Sequence, residues 1–247
     1  MVLLKTSKPK TVIWSDVISG QLGTLLTSLE PAVRTGLEAH ALLHTVAAGT
    51  IVSEAGQPSA KICYVVKGTL AMTQVIDDGR KHIIGLLVPT DLHGRLFGGV
   101  AAYRVEALSD ATLCCFDRIY FENLMRQNPD IERLFLLHIL DELDAAREWL
   151  FLISGRKVIN RTAALLAILA RRMRPKSHNK AIPVHLPLRR QELAHYLGTT
   201  PESLSRSFHE LANRGILQII DPQHFAILDL GALIDISGHD LVVDDDR

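Results

Sequence analysis

Cysteine is scarce in this chain of 247 residues: there are three, Cys63, Cys114 and Cys115. No CxxC pair and no Cys/His spacing accompanies them, which excludes a zinc ribbon and gives no sign of a disulfide framework. Such usage fits a reduced, cytoplasmic compartment. Long apolar runs are missing too. The opening MVLLKTSKPKTVIW holds none of the length a signal peptide or membrane span needs, and it is expected to be a flexible lead-in with no membrane role. Net charge is also absent, with 27 Lys+Arg against 27 Asp+Glu, so the chain is not a basic nucleic-acid coat. Finally, no P-loop, GxSxG elbow or HExxH occurs, and an enzyme is not expected.

What is present is a core and an uneven spread of charge. The apolar fraction of 47% is that of a globular protein. Between Arg156 and Ile220 there are 12 Lys+Arg and 3 Asp+Glu, which leaves 15 and 24 for the rest of the chain. A basic functional segment is therefore carried on an acidic remainder.

Texture divides the chain into four parts. Residues 1–129 form an effector-type sensor domain. Apolar residues at helical spacing run from 17 to 44, interrupted by Pro31, and short β-branched runs from Thr45 to Phe116 are punctuated by glycines. Asp78-Gly79 marks a hairpin, and the series predicts an antiparallel barrel or jelly roll. Residues 130–155 are one long helix, with Ile131, Leu134, Leu137, Leu140 and Leu143 recurring every three residues. A helix apolar around so much of its girth buries more than one side, so one side is assigned to the barrel and the other to a second copy. Residues 156–236 hold a helix ending in Arg171 and Arg172, then the helix-turn-helix described next, then two strands around Asp221-Pro222 that read as a wing. Residues 237–247 are an acidic tail. The fold class is thus α+β.

In RRQELAHYLGTTPESLSRSFHELANRG the first helix stops at a turn on Gly198, and Thr200 and Pro201 open the second. Leu193, Ala194 and Leu197 face Leu204, Phe208 and Leu211, which leaves Glu202, Ser205 and Arg206 outward on one face. An arginine can donate two hydrogen bonds to guanine, a glutamate accepts from cytosine and a serine serves a base edge. These three are the candidate base readers. Thr200, Arg189, Arg190, Ser203, His209 and Arg214 are the candidate phosphate contacts, with Arg156, Lys157, Arg161 and His195 nearby. The bland alternative is a surface ion pair between Glu202 and Arg206.

The order of parts, together with AAGTIVSEAGQ, VVKGTLAMTQVIDDGR, VPTDLHG and TTPESLSRSFHELANRG, resembles the CRP/FNR family of bacterial transcription regulators. The resemblance implies a cyclic-nucleotide-binding-like barrel, a homodimer, double-stranded palindromic DNA and contact with RNA polymerase. Glu202, Ser205 and Arg206 match the ExxSR of the FNR/FixK branch, which implies TTGAT-like half-sites and a link to oxygen- or redox-linked metabolism. Pro201 stands where the cyclic-AMP-dependent branch has an arginine. The phosphate-binding Arg-Ser pair of that branch falls on Ala101 and Ala102 and its glutamate on Arg95, so cyclic-nucleotide control is not expected, although Arg104 offers a substitute cation. FNR itself holds an iron–sulfur cluster on four cysteines. Here only Cys114 or Cys115 matches one of them, and both are kept as candidates for redox modification against the alternative of inert core thiols. No cofactor is expected. The alternative of a haem-binding sensor of carbon monoxide or nitric oxide would draw on His44, His82, His93 or His138. A cupin-like metal enzyme, the rival for a glycine-punctuated barrel, needs an HxH that this sequence does not contain.

Overall fold

The structure, a computed structural model, describes residues 29–75, 81–153, 157–172 and 181–238. They fall into two compact units, residues 1–144 and 145–247. The division lies inside the long helix expected over 130–155.

The first unit opens with helix α1 (Pro31–His40), which Pro31 starts. The segment 17–28 expected to be helical lies outside the described residues. Eight strands follow: β1 (Leu42–Val46), β2 (Ile51–Ser53), β3 (Lys61–Lys67), β4 (Leu70–Val75), β5 (Lys81–Leu87), β6 (Leu92–His93), β7 (Arg104–Ala107) and β8 (Ala111–Asp117). They form two antiparallel four-stranded sheets, ordered β1-β8-β3-β6 and β2-β7-β4-β5. Strands β4 and β5 pair from Leu70↔Leu87 to Val75↔Lys81; the Asp78-Gly79 turn between them lies outside the described residues.

Alternation along the strands builds two cores from one wall. Val46, Cys63, Val65, Leu113 and Cys115 of the first sheet meet Leu70, Val105 and Ala107 of the second inside the jelly roll. Tyr64, Cys114 and Phe116 point the other way, against Leu37, Phe121, Met125 and Ile131. Those covering residues belong to α1, to α2 (Arg118–Gln127) and to α3 (Pro129–Ile153). Asp117 ends β8 and caps α2, its carboxylate accepting from the Tyr120 N–H at 3.0 Å.

Two expectations are corrected here. Cys63 and Cys115 stand directly opposite on β3 and β8 and are joined as a disulfide. Spacing rules find cysteines that are close in sequence, whereas strand register brings together a pair separated by 52 residues. The second concerns α3. Ile131 is buried in its own barrel core and Leu134 packs against that core, while Leu137, Leu140 and Leu143 are exposed. A three-residue step advances 300° on a helix of 100° per residue, so the stripe turns away from the barrel as it climbs. The exposed apolar residues of α3 are Leu136, Leu137, Ile139, Leu140, Leu143 and Leu150, and among them Leu136, Leu140, Leu143 and Leu150 follow one another at steps of 4, 3 and 7. Those 4-3-7 steps are the heptad spacing of a helix pair.

The second unit contains the last turns of α3, then α4 (Val158–Arg172), β9 (Ile182–His185), α5 (Arg190–Tyr196), α6 (Pro201–Asn213), β10 (Leu217–Ile219), β11 (His224–Ile227) and α7 (Leu230–Ser237). Small residues Ala163, Ala164, Ala167 and Ala170 are fully buried on α4 and let α6 and α7 approach it closely. Strands β10, β11 and β9 form a three-stranded sheet in that order. At the wing turn Asp221 accepts from the N–H groups of Gln223 and His224. Helix α7 was not expected: LGALIDIS is short, apolar throughout and contains Gly231, so periodicity does not mark it. Its cap does, since Asp229 accepts from the Ala232 N–H at 2.9 Å. Arg156 and the tail beyond 238 lie outside the described residues. Among the described residues no helix is long and apolar enough to cross a membrane.

Candidate nucleic-acid interface

Helix α6 starts where the chain chemistry says it should. Thr200 Oγ1 accepts from the Ser203 N–H at 3.3 Å and Pro201 occupies the first helical position, an arrangement worth about 1 kcal/mol. The preceding turn depends on Gly198, whose φ is +62°. Arg161 of α4 donates to the carbonyl oxygens of Leu197 at 2.7 Å and Gly198 at 3.1 Å. That arginine therefore closes the end of α5 and is committed to the turn, not to a phosphate.

The inner face of α6 is fixed by packing. Leu204, Ser207, Phe208 and Leu211 are buried. Phe208 stacks on Phe225 of the wing at 4.7 Å between ring centroids, and the Arg190 guanidinium lies 4.4 Å above its ring. Offset stacking and cation–π attraction each add about 1 kcal/mol to the burial itself. At the far end of α5, Tyr196 stacks on Trp149 of α3 at 5.0 Å. The helix is thus held against α5 and the wing, and its orientation in the unit is set.

With that face fixed, Glu202 and Arg206 are exposed and Ser205 is half-buried at the surface between them. Arg206 Nη2 donates to Ser203 Oγ at 3.1 Å, and Thr200 Oγ1 donates to the same oxygen at 3.2 Å. The guanidinium is anchored by a hydroxyl instead of being spent on Glu202. The Glu202 carboxyl is held below its usual range, first by backbone N–H at the helix start and then by the Thr200 hydroxyl, with Arg206 adding to both against a small opposing desolvation. It is a standing acceptor at neutral pH.

The candidate phosphate contacts separate into two groups. Arg189 has 86% of its side chain exposed and only a loose ion pair with Glu192, at 3.7 Å, and His209 is exposed as well. Arg190 is half-buried over Phe208, burial lowers its pKa, and its Nη1 has no hydrogen-bond partner. Arg214 is ion-paired with Glu210, while Thr200 and Ser203 are engaged in the cap. Sequence spacing placed these residues near the reading face but had no means of seeing which cations the fold already uses.

The other candidate residues lie in the first unit. Ala101, Ala102 and Arg95 line a cavity of about 140 Å³ with Ser59, His93 and Tyr103. A larger one, about 390 Å³, lies between the β6 loop and α3 and is lined by His93, Phe97, Met125, Phe135, Leu136 and Ile139 among others. His93 is half-buried, and desolvation lowers its pKa to about 4, so it is neutral. His44 is buried and its Nε2 accepts from Lys61 Nζ at 2.9 Å, His138 pairs with Glu142 at 3.3 Å, and His82 lies on β5. Arg104 is bound to Glu54 at 2.8 Å, which removes it as a substitute phosphate cation. Among the described residues no three His, Cys, Asp or Glu side chains are grouped to hold a metal.

Comparison with known proteins adds to this geometry. Residues 43–128 match the cyclic nucleotide-binding domain and residues 160–236 the Crp-like helix-turn-helix domain. The chain is 37% identical over 196 residues to the transcriptional activator protein FnrL of Cereibacter sphaeroides, covering 78% of this chain and 79% of FnrL. It is 31% identical over 157 residues to the nitrogen fixation regulation protein FixK of Bradyrhizobium diazoefficiens, covering 63% and 65%. Among solved structures, FixK2 from Bradyrhizobium japonicum superposes with a TM-score of 0.69 at 22% identity, over 79% of this chain and 96% of that one.

Proposed function

This chain belongs to the CRP/FNR family of DNA-binding transcription regulators, and from that membership we propose that it acts as a homodimer that reads TTGAT-like half-sites of a palindrome. It is a regulator and not an enzyme. The observation that carries the finer reading is the outer face of α6: Glu202, Ser205 and Arg206 stand together at its first turns while the opposite face is locked in the core. Helices of this kind enter the major groove by their N-terminal end, where a glutamate meets a cytosine amino group and an arginine meets guanine O6 and N7. Arg189 and His209 supply phosphate contacts that position the helix without reading sequence. A second copy joins through the exposed Leu136–Leu140–Leu143 seam of α3, and the two-fold axis so created demands a palindrome. RNA polymerase is the partner through which bound dimer changes transcription.

The first unit supports control without cyclic AMP. Ala101 and Ala102 offer no side-chain donor to a cyclic phosphate, and their cavity of about 140 Å³ is below the roughly 300 Å³ at which ligand pockets begin. The names of the FnrL and FixK relatives favour a role in oxygen-linked metabolism, exercised without an iron–sulfur cluster. One observation favours the haem reading: His93, a neutral imidazole, lines the cavity of about 390 Å³. A Soret band in purified protein that shifts under carbon monoxide would establish that reading, and its absence after haem reconstitution removes it.

The test of the main reading is a fluorescence-anisotropy titration of a TTGAT-N4-ATCAA duplex against a scrambled duplex, repeated as salt is raised. Binding should be selective for the palindrome and should fall steeply with salt as counterions are released. Equal affinity for both duplexes, or a strictly monomeric protein at micromolar concentration by sedimentation, overturns it.

A further inference from the structure

The disulfide in the barrel wall is the feature that the reading above leaves unused. We propose that Cys63 and Cys115 form a reversible thiol–disulfide couple, a redox modification site, with Cys114 standing apart as a permanent thiol.

Three observations carry this. The first is position in the ladder. Cys63↔Cys115 is the third rung of the β3–β8 pair, counted from the terminal rung Lys61↔Asp117. Both cysteines are buried, at 3% and 1% exposure, yet only two rungs, Lys61↔Asp117 and Ile62↔Phe116, separate them from the end of the ladder, and strand ends open far more often than the whole domain unfolds. The second is what lies beside them. Lys61 and Cys63 share a face of β3, two residues apart, and Lys61 Nζ is 2.9 Å from His44 Nε2 on the same interior face. Lys61 is thus the cation on the cysteines' own face, its pKa lowered by burial, and positive charge on that face favours the thiolate, the form that attacks and leaves in disulfide exchange. The third is the contrast with the neighbouring residue. Cys114 points to the other core, is free, and burial pushes its thiol up to about 12, so it forms almost no thiolate at neutral pH.

Reversibility, as opposed to a permanent bridge, rests on the DNA-binding reading. A regulator of bacterial transcription works beside its DNA, where dithiol reductants keep cysteines reduced, and disulfides found there are mostly transient or sensing ones. The balance is simple. One thiolate attacks a peroxide, breaking the O–O bond to give a sulfenic acid and water. The second thiol displaces the sulfenic oxygen as water, so two thiols and hydrogen peroxide give one disulfide and two waters. A dithiol reverses this by two exchanges: it supplies two electrons and two protons and is itself left as a cyclic disulfide.

The bond ties the rung Leu42–Cys115–Cys63–His93, which crosses all four strands of the sheet. Strand β8 then reaches the cap of α2 only two residues later. Oxidation therefore clamps the wall between the His93 loop and the helices that follow β8.

The test counts thiols on the full chain. Peroxide-treated protein, unfolded in N-ethylmaleimide, should take up one label; after incubation with millimolar dithiothreitol in the native state it should take up three, and peroxide should return it to one. Cys114→Ser should keep the cross-link and show no label when oxidised, which covers the case of a Cys63 variant that does not fold. Three labels after peroxide, a bridge that persists in Cys63→Ser, or a bridge that yields to dithiothreitol only after unfolding would overturn the proposal. The counts are made without DNA, and the palindrome titration is run on the same samples, so loss of DNA binding with intact label counts indicts the regulator reading alone.

Discussion

Replacing Arg206 by alanine separates reading from holding. The side chain is exposed, and its hydrogen bond to Ser203 Oγ lies at the surface, so truncation opens no cavity and should leave stability within about 0.5 kcal/mol. Its cost appears only on DNA. A bidentate arginine–guanine contact discriminates by about 1–3 kcal/mol. A dimer makes that contact once in each half-site, which gives about 2–6 kcal/mol, or roughly 30-fold to 10⁴-fold in affinity at 1.4 kcal/mol per decade. The assay is the anisotropy titration on the palindrome, on a scrambled duplex, and on duplexes altered at one base per half-site, each at several salt concentrations. Arg206→Ala should lose affinity for the palindrome, keep its weak affinity for scrambled DNA, tolerate substitution at one base position, and keep its salt slope. Arg189→Ala should do the reverse, with uniform weakening and a slope shallower by about 1 per lost phosphate contact. Parent-like affinity and selectivity in Arg206→Ala, or an equal loss on both duplexes, would refute the assignment of Arg206 as a base reader.

Four further outcomes are expected. Ser203→Ala frees the Arg206 guanidinium from its 3.1 Å tether and should blur base choice by a few-fold; an equal weakening on the palindrome and on scrambled DNA would make Ser203 a phosphate contact instead. Leu140→Asp, at a side chain 47% exposed in one copy, should leave circular dichroism unchanged and give a monomer by sedimentation equilibrium. Gly198→Ala, at φ +62° with its new Cβ 3.2 Å from Arg161 Nη1, should destabilise the second unit by about 1–2 kcal/mol, measured by urea unfolding. Cys63→Ala removes a cross-link spanning 52 residues, worth about 4 kcal/mol by loop entropy; urea midpoints of oxidised parent and variant that coincide would show the bridge holds nothing.

What was legible in the sequence was whatever is local. The Thr200-Pro201 start and Gly198 turn of the helix-turn-helix, the Asp221-Pro222 wing and the glycine-punctuated strands are written in adjacent residues, because caps and turns are set by side chains one to three positions away. Pairing at a distance was not legible. Nothing near Cys63 announces Cys115, since the β3–β8 register that joins them is fixed by the whole jelly roll. Arg190 and Arg161 look like phosphate ligands in the sequence because their charge is visible and their partners, Phe208 and the Leu197 and Gly198 carbonyls, are not. On α3 the leucine spacing puts apolar residues on several sides of the helix. The sorting of Ile131 inward and Leu140 outward depends on where the barrel sits, which periodicity alone does not contain.

Leu136 and Ile139 occupy two surfaces at once: they line the cavity of about 390 Å³ and are among the exposed apolar residues of α3. Any molecule that fills the hollow therefore presses on the same side chains that a second copy would cover. Occupancy and assembly must then obey one thermodynamic cycle, so a filler that favours the paired state gains affinity from pairing by the same factor. Such reciprocity requires no hinge and no travelling signal, only one residue, Leu136, shared between a wall and a seam, with Ile139 beside it.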